Sequence, residues 1–445
     1  MKYLDHAATS PVRPEVREAI APFLGLAAGL DAGSEPGLAG GARRDTDATF
    51  ADPALFGNPS SRHVAGERAA RILEDARARV ARVLGVRAGD VVFTSGGSEA
   101  DNLAIKGAAI AAIERGARHV VTTPIEHEAV LRSVDHLRRI HGFEVSLVDV
   151  DEAGRISADA VAAAIRPDTA VVSIGYANNE VGTVQPLRAI ADAVAAARAS
   201  VGGRAAPGRA WLHTDAVQAA GWLPLDGRAL GVDAMTVAGH KIGAPKGCGV
   251  LAVRSRVPLE PLVHGGGQER GRRSGTESVA SAVAMAVALE CAEAEREAAA
   301  LAAAASRDAF VRAVLERVPD ARLTGAPIEG PGPGVVAGSD GAGRLPGLAS
   351  FVFPGTSGEA VLLELERRGV LSSSGSACAA GDDEPSHVLT AMGVSAEIAQ
   401  TSVRFTVSAA SVASSLAATG TADPFAGVAA ALADAVTAVR SIAAT

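Results

Sequence analysis

From about residue 60 to residue 255, short apolar runs rich in β-branched residues alternate with longer helical stretches. Val91-Val92-Phe93-Thr94 is followed by a helical pattern beginning near Ser98, and His119-Val120-Val121-Thr122 by another from about Glu126. Val145-Ser146-Leu147-Val148, Ala170-Val171-Val172-Ser173, Trp211-Leu212-His213-Thr214 and Ala234-Met235-Thr236-Val237 continue the series. Strands separated by helices imply crossover connections, hence an α/β fold with a mainly parallel sheet covered by helices on both faces. The glycine-rich stretch His264-Gly265-Gly266-Gly267 closes this region. Beyond it come an alanine-rich helical stretch, roughly Ser278 to Val318, a strand-like Ser350-Phe351-Val352-Phe353 and a helix from about Ser357 to Arg368. That mixed part predicts a smaller α+β domain. With 445 residues the chain is long enough for two or three domains and a well-buried core.

Four stretches interrupt the pattern, at about residues 25–53, 200–209, 327–347 and 410–423. All are rich in Gly, Ala, Ser or Pro and lack a clear apolar period. They are expected as surface loops. A net charge of −8 and only 3% aromatic residues argue against direct nucleic-acid binding, which calls for basic stripes and stacking rings. No apolar run is long enough for a membrane span, and Met1-Lys2-Tyr3-Leu4-Asp5 lacks the features of a signal peptide. The three cysteines, Cys248, Cys291 and Cys378, are widely spaced, as expected for reduced thiols in the cytoplasm. No cluster has zinc-ligand spacing, so no intrinsic metal is expected.

Several residues stand where chemistry would need them. Lys241 follows the strand-like run ending at Val237, which would hold an amine at the mouth of the sheet. Asp215 ends another such run. A lysine for a cofactor aldehyde and an aspartate for a pyridinium nitrogen are the pair that pyridoxal phosphate requires. Ser95-Gly96-Gly97-Ser98-Glu99 lies between strand and helix. It suits either a phosphate at a helix start or a plain turn with Ser98 as cap. Arg404 is one charge in the apolar run Ser402-Val403-Arg404-Phe405, either an internal ion-pair partner or a carboxylate fork. Cys248 and Cys291 sit in apolar surroundings and fit a core role. Cys378 does not, because residues 372–383 are small and polar and cannot build a core; that composition suits a mobile tether for a reactive thiol.

Together, His213-Thr214-Asp215-Ala216-Val217-Gln218, Gly239-His240-Lys241 and Ser373-Ser374-Gly375-Ser376-Ala377-Cys378 resemble the group I (NifS/IscS type) cysteine desulfurases. These belong to the class V aminotransferase-like branch of fold-type I pyridoxal-phosphate enzymes. The resemblance runs from Tyr3-Leu4-Asp5-His6-Ala7-Ala8-Thr9 to Arg404-Phe405. It implies a large cofactor-binding domain over about 15–265 and a smaller one from 1–14 and 266–445. It implies pyridoxal 5′-phosphate on Lys241, its phosphate held by Gly97, Ser98 and His240, its ring nitrogen by Asp215 and its phenolic oxygen by Asn179 and Gln218. His127 would lie over the ring and move protons. Asn179 and Arg404 would take the α-carboxylate of L-cysteine. Cys378 would receive the sulfur as a persulfide, leaving L-alanine.

The same resemblance implies a homodimer in which Thr276 reaches the partner's cofactor phosphate. It also implies a sulfur acceptor protein, either an iron–sulfur scaffold or a tRNA-thiolation enzyme. With a scaffold, Cys378 could lend a transient ligand to a nascent cluster. Residues 439–445 do not match a scaffold-docking tail, which favours the thiolation enzyme. Ser98 stands where Thr is usual, and Ala238 where Ser is common, so one phosphate hydrogen bond is expected to be missing. A selenocysteine lyase or other class V enzyme, and a non-catalytic sulfur-transfer protein, are the alternatives. The presence of Lys241, His127 and Asp215 speaks against the last.

Overall fold

The computed structural model describes residues 1–25, 55–202, 206, 208–328, 343–374 and 384–443. A seven-stranded sheet runs in the order Val91–Thr94, Gly249–Val253, Ala234–Ala238, Trp211–Asp215, Thr169–Ser173, His119–Thr122, Glu144–Leu147. Six strands share one direction. Only Gly249–Val253 runs against both of its neighbours. The cause is chain length: the short connection from Ala238 to Gly249 cannot make the crossover that a parallel return needs. The central strands Thr169–Ser173, Ala234–Ala238 and Gly249–Val253 are buried at every residue. This is why they read as continuous apolar runs and not as alternation.

A second, antiparallel sheet of three strands follows the order Arg322–Leu323, Leu348–Val352, Ser402–Thr406. It packs on the 39-residue helix Val279–Arg317, whose other stretches contact the helices Pro14–Ile20 and Val64–Val83. Phe310 of that helix lies 4.8 Å from Phe425 in a stacked pair and meets Phe351 and Phe405 edge-on. The first residues join both sheets. Lys2–Tyr3 pairs in parallel with Val370–Leu371, the Ala7 amide donates to Thr406 Oγ1 at 2.8 Å, and the Ser10 amide donates to the His240 carbonyl at 2.9 Å.

The stretch 410–423, expected as a surface loop, is mostly the helix Ala409–Thr419. Ser408 caps its start by accepting from the Ser411 amide, and Gly420 ends it in the left-handed conformation at φ 74°. Ala409, Val412, Ala413 and Leu416 form its packed face. Two of those four are alanines amid further alanines, so the apolar period was hidden by composition. Within 327–347, Gly343–Arg344 pairs with Thr183–Val184 and Leu345 is buried, so its end is strand and core rather than loop. Residues 329–342 lie outside the described residues, as do 26–54, nearly all of the expected insertion 25–53, and 203–205 and 207, four of the ten positions of 200–209.

Candidate active site

The six co-directional strands bring their carboxyl ends to one edge, where the loops that follow five of them help to enclose a cavity of about 290 Å³. Gly97 and Ser98 arrive after Val91–Thr94, His127 after His119–Thr122, and Asn179 after Thr169–Ser173. Asp215 is the last residue of its strand, and His240 and Lys241 begin the connection that follows Ala238. Gln218 and Arg404 complete the expected set on its walls. Thr276 is exposed and does not line this cavity. Cys378 lies outside the described residues.

Each side chain is held by its own local structure. Lys241 Nζ donates to the carbonyls of Ala7 and Ala8, the latter at 2.8 Å, and Gln218 Nε2 donates to Ala7 at 3.0 Å. The amino-terminal segment therefore forms a wall of the cavity. His127 caps the helix Glu128–His141, its Nδ1 accepting from the Ala129 amide at 3.1 Å. In the neutral ring that bond fixes the proton on Nε2. Asp215 Oδ1 accepts from the Val217 amide at 2.8 Å. Arg404, only 4% exposed, gives one Nη to the Asn179 carbonyl at 3.0 Å and the other to Asp5 at 2.9 Å. Arg404 is thus ion-paired, as one of the two sequence readings had it, and it also lines the cavity.

Two carboxyls that the sequence did not single out also face the cavity. Asp101 sits one helical turn after Gly97; its Oδ1 is 3.6 Å from His213 Nε2 and has no hydrogen-bond donor among the described residues, while Thr236 hydrogen-bonds the carboxyl. Burial, and then the nearby Asp215 charge, raise its pKa well above the ordinary range. Glu126 accepts from the Gly175 amide and from Thr123 Oγ1 at 2.9 Å, yet burial pushes it up to about 7. Asp215 is also raised by burial, opposed by His127 and Lys241. Ligand atoms of Asp101, His127 and Asp215 lie within 4.8 Å of one another. The only signal for Asp101 was its spacing of four from Gly97, which any helical polar residue shares.

His213 is the structural neighbour it was expected to be. It bonds Ser173 Oγ at 2.9 Å and Thr236 Oγ1 at 3.0 Å, and burial lowers its pKa to about 3, so it is neutral. The backbone makes room as well. A Cβ on Gly97 would stand 3.1 Å from Val217 Cγ2 and 3.3 Å from Ala238 Cβ, so the missing side chain keeps this end of the cavity open. Ser373 exchanges two backbone hydrogen bonds with Arg404. On the other flank of residues 375–383, Ser386 Oγ donates to Glu180 at 2.5 Å and His387 Nε2 meets the Glu126 carbonyl at 3.0 Å.

Comparison with known proteins agrees with this arrangement. The family described as aminotransferase class-V matches residues 53–414. The IscS-like cysteine desulfurase of Mycobacterium tuberculosis is 40% identical over 416 residues, 93% of this chain and 92% of that protein. Cysteine desulfurase IscS of Dictyoglomus turgidum is 36% identical over 405 residues, 91% of this chain and 89% of that protein. A solved structure described as a NifS-like protein superposes with a TM-score of 0.76 at 30% identity, covering all of both chains.

Proposed function

Because the chain belongs to the class-V aminotransferase family and is a pyridoxal-phosphate-dependent cysteine desulfurase, we propose that Lys241, Asp215, His127, Arg404 and Cys378 carry its chemistry. The observation that carries this assignment is the meeting of Lys241 and Asp215 in one cavity, at the ends of adjacent strands. The cavity suits the cofactor at both ends. Gly97 leaves a cradle that a Cβ would fill, beside Ser98 and His240, and a buried carboxyl near His127 and Lys241 waits at Asp215. Bound there, pyridoxal phosphate supplies an electron sink for the substrate's Cα–H bond.

The chain's own residues do the rest. Lys241 holds the cofactor through its amine and, once L-cysteine has displaced it, takes the Cα proton. Asp215 stays ionised against the ring nitrogen and keeps that nitrogen protonated. His127, with Nδ1 committed to its helix cap, offers Nε2 for proton transfer. Asn179 and Gln218 hold the phenolic oxygen. Arg404 receives the substrate α-carboxylate in competition with Asp5, a bidentate contact that fixes which way the amino acid faces. The Cys378 thiolate attacks the substrate sulfur. The S–S bond forms as the Cβ–S bond breaks, the bond's electron pair stays on carbon and is protonated, and L-alanine leaves. Support for Cys378 comes from its flanks, since Ser373 is bonded to Arg404 and His387 to the Glu126 carbonyl, both at the cavity.

Thr276, exposed and off its own cavity, suits a role in the partner's phosphate site within a homodimer. The division near residue 265 belongs to the same proposal, with the segment that carries Arg404 in the smaller domain. Sulfur then passes to an acceptor protein, a thiolation enzyme in preference to an iron–sulfur scaffold. A cytoplasmic setting agrees with the free thiols of Cys248 and Cys291. No described helix is long and apolar enough to cross a membrane. Intact-mass measurement of the reduced holoenzyme after brief exposure to L-cysteine tests the core assignment. One or more added sulfur atoms on the wild type and none on Cys378→Ala are expected. Equal sulfur on both would remove Cys378 from the role of first acceptor.

A further inference from the structure

Beside Asp215 on the catalytic cavity stands a second aspartate that none of the proposed steps uses. Asp101 lines the cavity from the helix Gly97–Asn102 and is 1% exposed. Beneath it the sheet carries three buried polar side chains, Ser173, His213 and Thr236. Register and alternation bring them together. Ser173 pairs with His213 and Asp215 with Thr236, and His213 and Asp215, two residues apart, share a face of their strand. Ser173 Oγ meets His213 Nδ1 at 2.9 Å, His213 Nε2 meets Thr236 Oγ1 at 3.0 Å, and the Thr236 hydroxyl donates to the Asp101 carboxyl. A neutral imidazole has one N–H to give. With the Thr236 proton turned to Asp101, the His213 proton is on Nε2 and Ser173 donates to Nδ1, so the whole row delivers one hydrogen bond to Asp101.

One donor is too few for a buried carboxylate, whose two oxygens both call for them. Oδ1 has none among the described residues. His213 Nε2 is 3.6 Å from it, but that ring is neutral and its N–H is committed to Thr236. The other titratable groups that face Asp101 are Asp215, at the end of Trp211–Asp215, and Glu126 and His127, on the connection after His119–Thr122. Polar atoms of Asp101, Asp215 and His127 lie within 4.8 Å of one another. Asp215 is better placed to carry charge: the Val217 amide donates to it at 2.8 Å, and His127 and Lys241 favour its ionised form. Two carboxyls this close in a buried site share a proton and do not ionise together. The donors assign that proton to Asp101, and burial with the Asp215 charge raises its pKa in the same sense.

We infer that Asp101 is a positioning residue that acts through Asp215: it holds the proton of the carboxyl pair, leaves the negative charge on Asp215, and guards the protonated ring nitrogen that Asp215 faces. The inference rests on the assignment of Asp215 to that nitrogen. As pH rises, the Asp101 O–H bond breaks first, its electron pair stays on the carboxyl and its proton passes to solvent. The pair then carries two negative charges, and the second opposes loss of the ring proton.

The first test is infrared spectroscopy of holoenzyme isotope-labelled at the side-chain carboxyl carbon of aspartate, which separates Asp101 from Glu126. At neutral pH a protonated aspartate carbonyl band is expected in the wild type and none in Asp101→Asn, which keeps the shape but cannot ionise. The second is nitrogen NMR of holoenzyme carrying pyridoxal phosphate labelled at its ring nitrogen. In Asp101→Asn that nitrogen should lose its proton about one pH unit lower than in the wild type, a shift that a merely structural role would not produce. If Asp101→Asn fails to take up the cofactor, Thr236→Val serves instead. It removes the one donor to the carboxyl, so the acid band should persist to higher pH than in the wild type. Absence of a protonated aspartate band, or its survival in Asp101→Asn, overturns the assignment of the proton. Equal titration of the ring nitrogen in both proteins overturns the guarding role. Asp215→Asn reports separately on the reading beneath the inference: it should lose turnover of L-cysteine at every pH, and full turnover would remove Asp215 from the ring nitrogen while leaving the infrared result to stand or fall alone.

Discussion

At the scale of single residues, the place of the proposed chemistry-bearing side chains on the cavity was legible where each stands at a strand end. Lys241 and Asp215 are such positions, following adjacent strands. Asp101 and Glu126 were not legible, because their significance lies in burial beside another carboxyl, which no local pattern encodes. Ala238, 1% exposed and facing Gly97 across the cradle, yields a direct expectation. Ala238→Ser restores a donor to the phosphate, and a hydrogen bond to a charged group is worth about 1.5–3 kcal/mol. Cofactor affinity, followed by reconstitution of the apoprotein, should rise about tenfold; unchanged retention would show that the phosphate is already fully bonded. Arg404→Lys replaces a fork with a point charge, so KM for L-cysteine should rise at least about tenfold with normal folding by circular dichroism. Glu126 predicts a pH effect. Its folded value of about 7 lies above the 4.5 of a free glutamate, so the folded chain holds more protons in that window. The group's contribution to stability is full below about pH 4.5 and is lost as pH rises through 7. Glu126→Gln should remove that decline, on the order of 3 kcal/mol between the two limits, as read by urea unfolding of apoprotein on either side of the window.

At the scale of elements, six of the seven strands were readable as short β-branched runs, and the long helix as an alanine-rich stretch. Periodicity failed at Ala409–Thr419, where alanine occupies both faces and only packing tells them apart. The reversed strand Gly249–Val253 was hidden for another reason: its direction follows from the length of the connection before it, not from its own residues. The strand Ser402–Thr406 illustrates how an element serves two ends. Arg404 reaches the cavity while Val403 and Phe405 are completely buried in the core, Phe405 against Phe310. Phe310→Ala should cost about 3–5 kcal/mol of stability and, by loosening the strand beneath Arg404, raise KM for L-cysteine more than it lowers kcat. A stability loss with wholly unchanged kinetics would uncouple the aromatic cluster from the site.

At the scale of the whole molecule, the active site is assembled from distant parts of the chain. The carbonyl of Ala7 takes both Lys241 and Gln218, while Leu4 and Ala7 bond residues 371 and 406. Deleting residues 1–9 should therefore weaken cofactor binding at least about tenfold, the equivalent of 1.4 kcal/mol, although none of those residues supplies a catalytic group; cofactor retention after gel filtration is the readout. The same stitching has a consequence for biosynthesis. The segment made first finds its partners among those made almost last, so a nascent chain cannot hold a finished site. At about 5–20 residues per second, roughly 20–80 s of translation separate Ala7 from Thr406. Once Lys241 is made, the wall at Ala7 still lacks its ties to residues 371 and 406. Cofactor loading is consequently an event of the released chain, and a ribosome stalled before residue 406 should carry a polypeptide that stays colourless in pyridoxal phosphate.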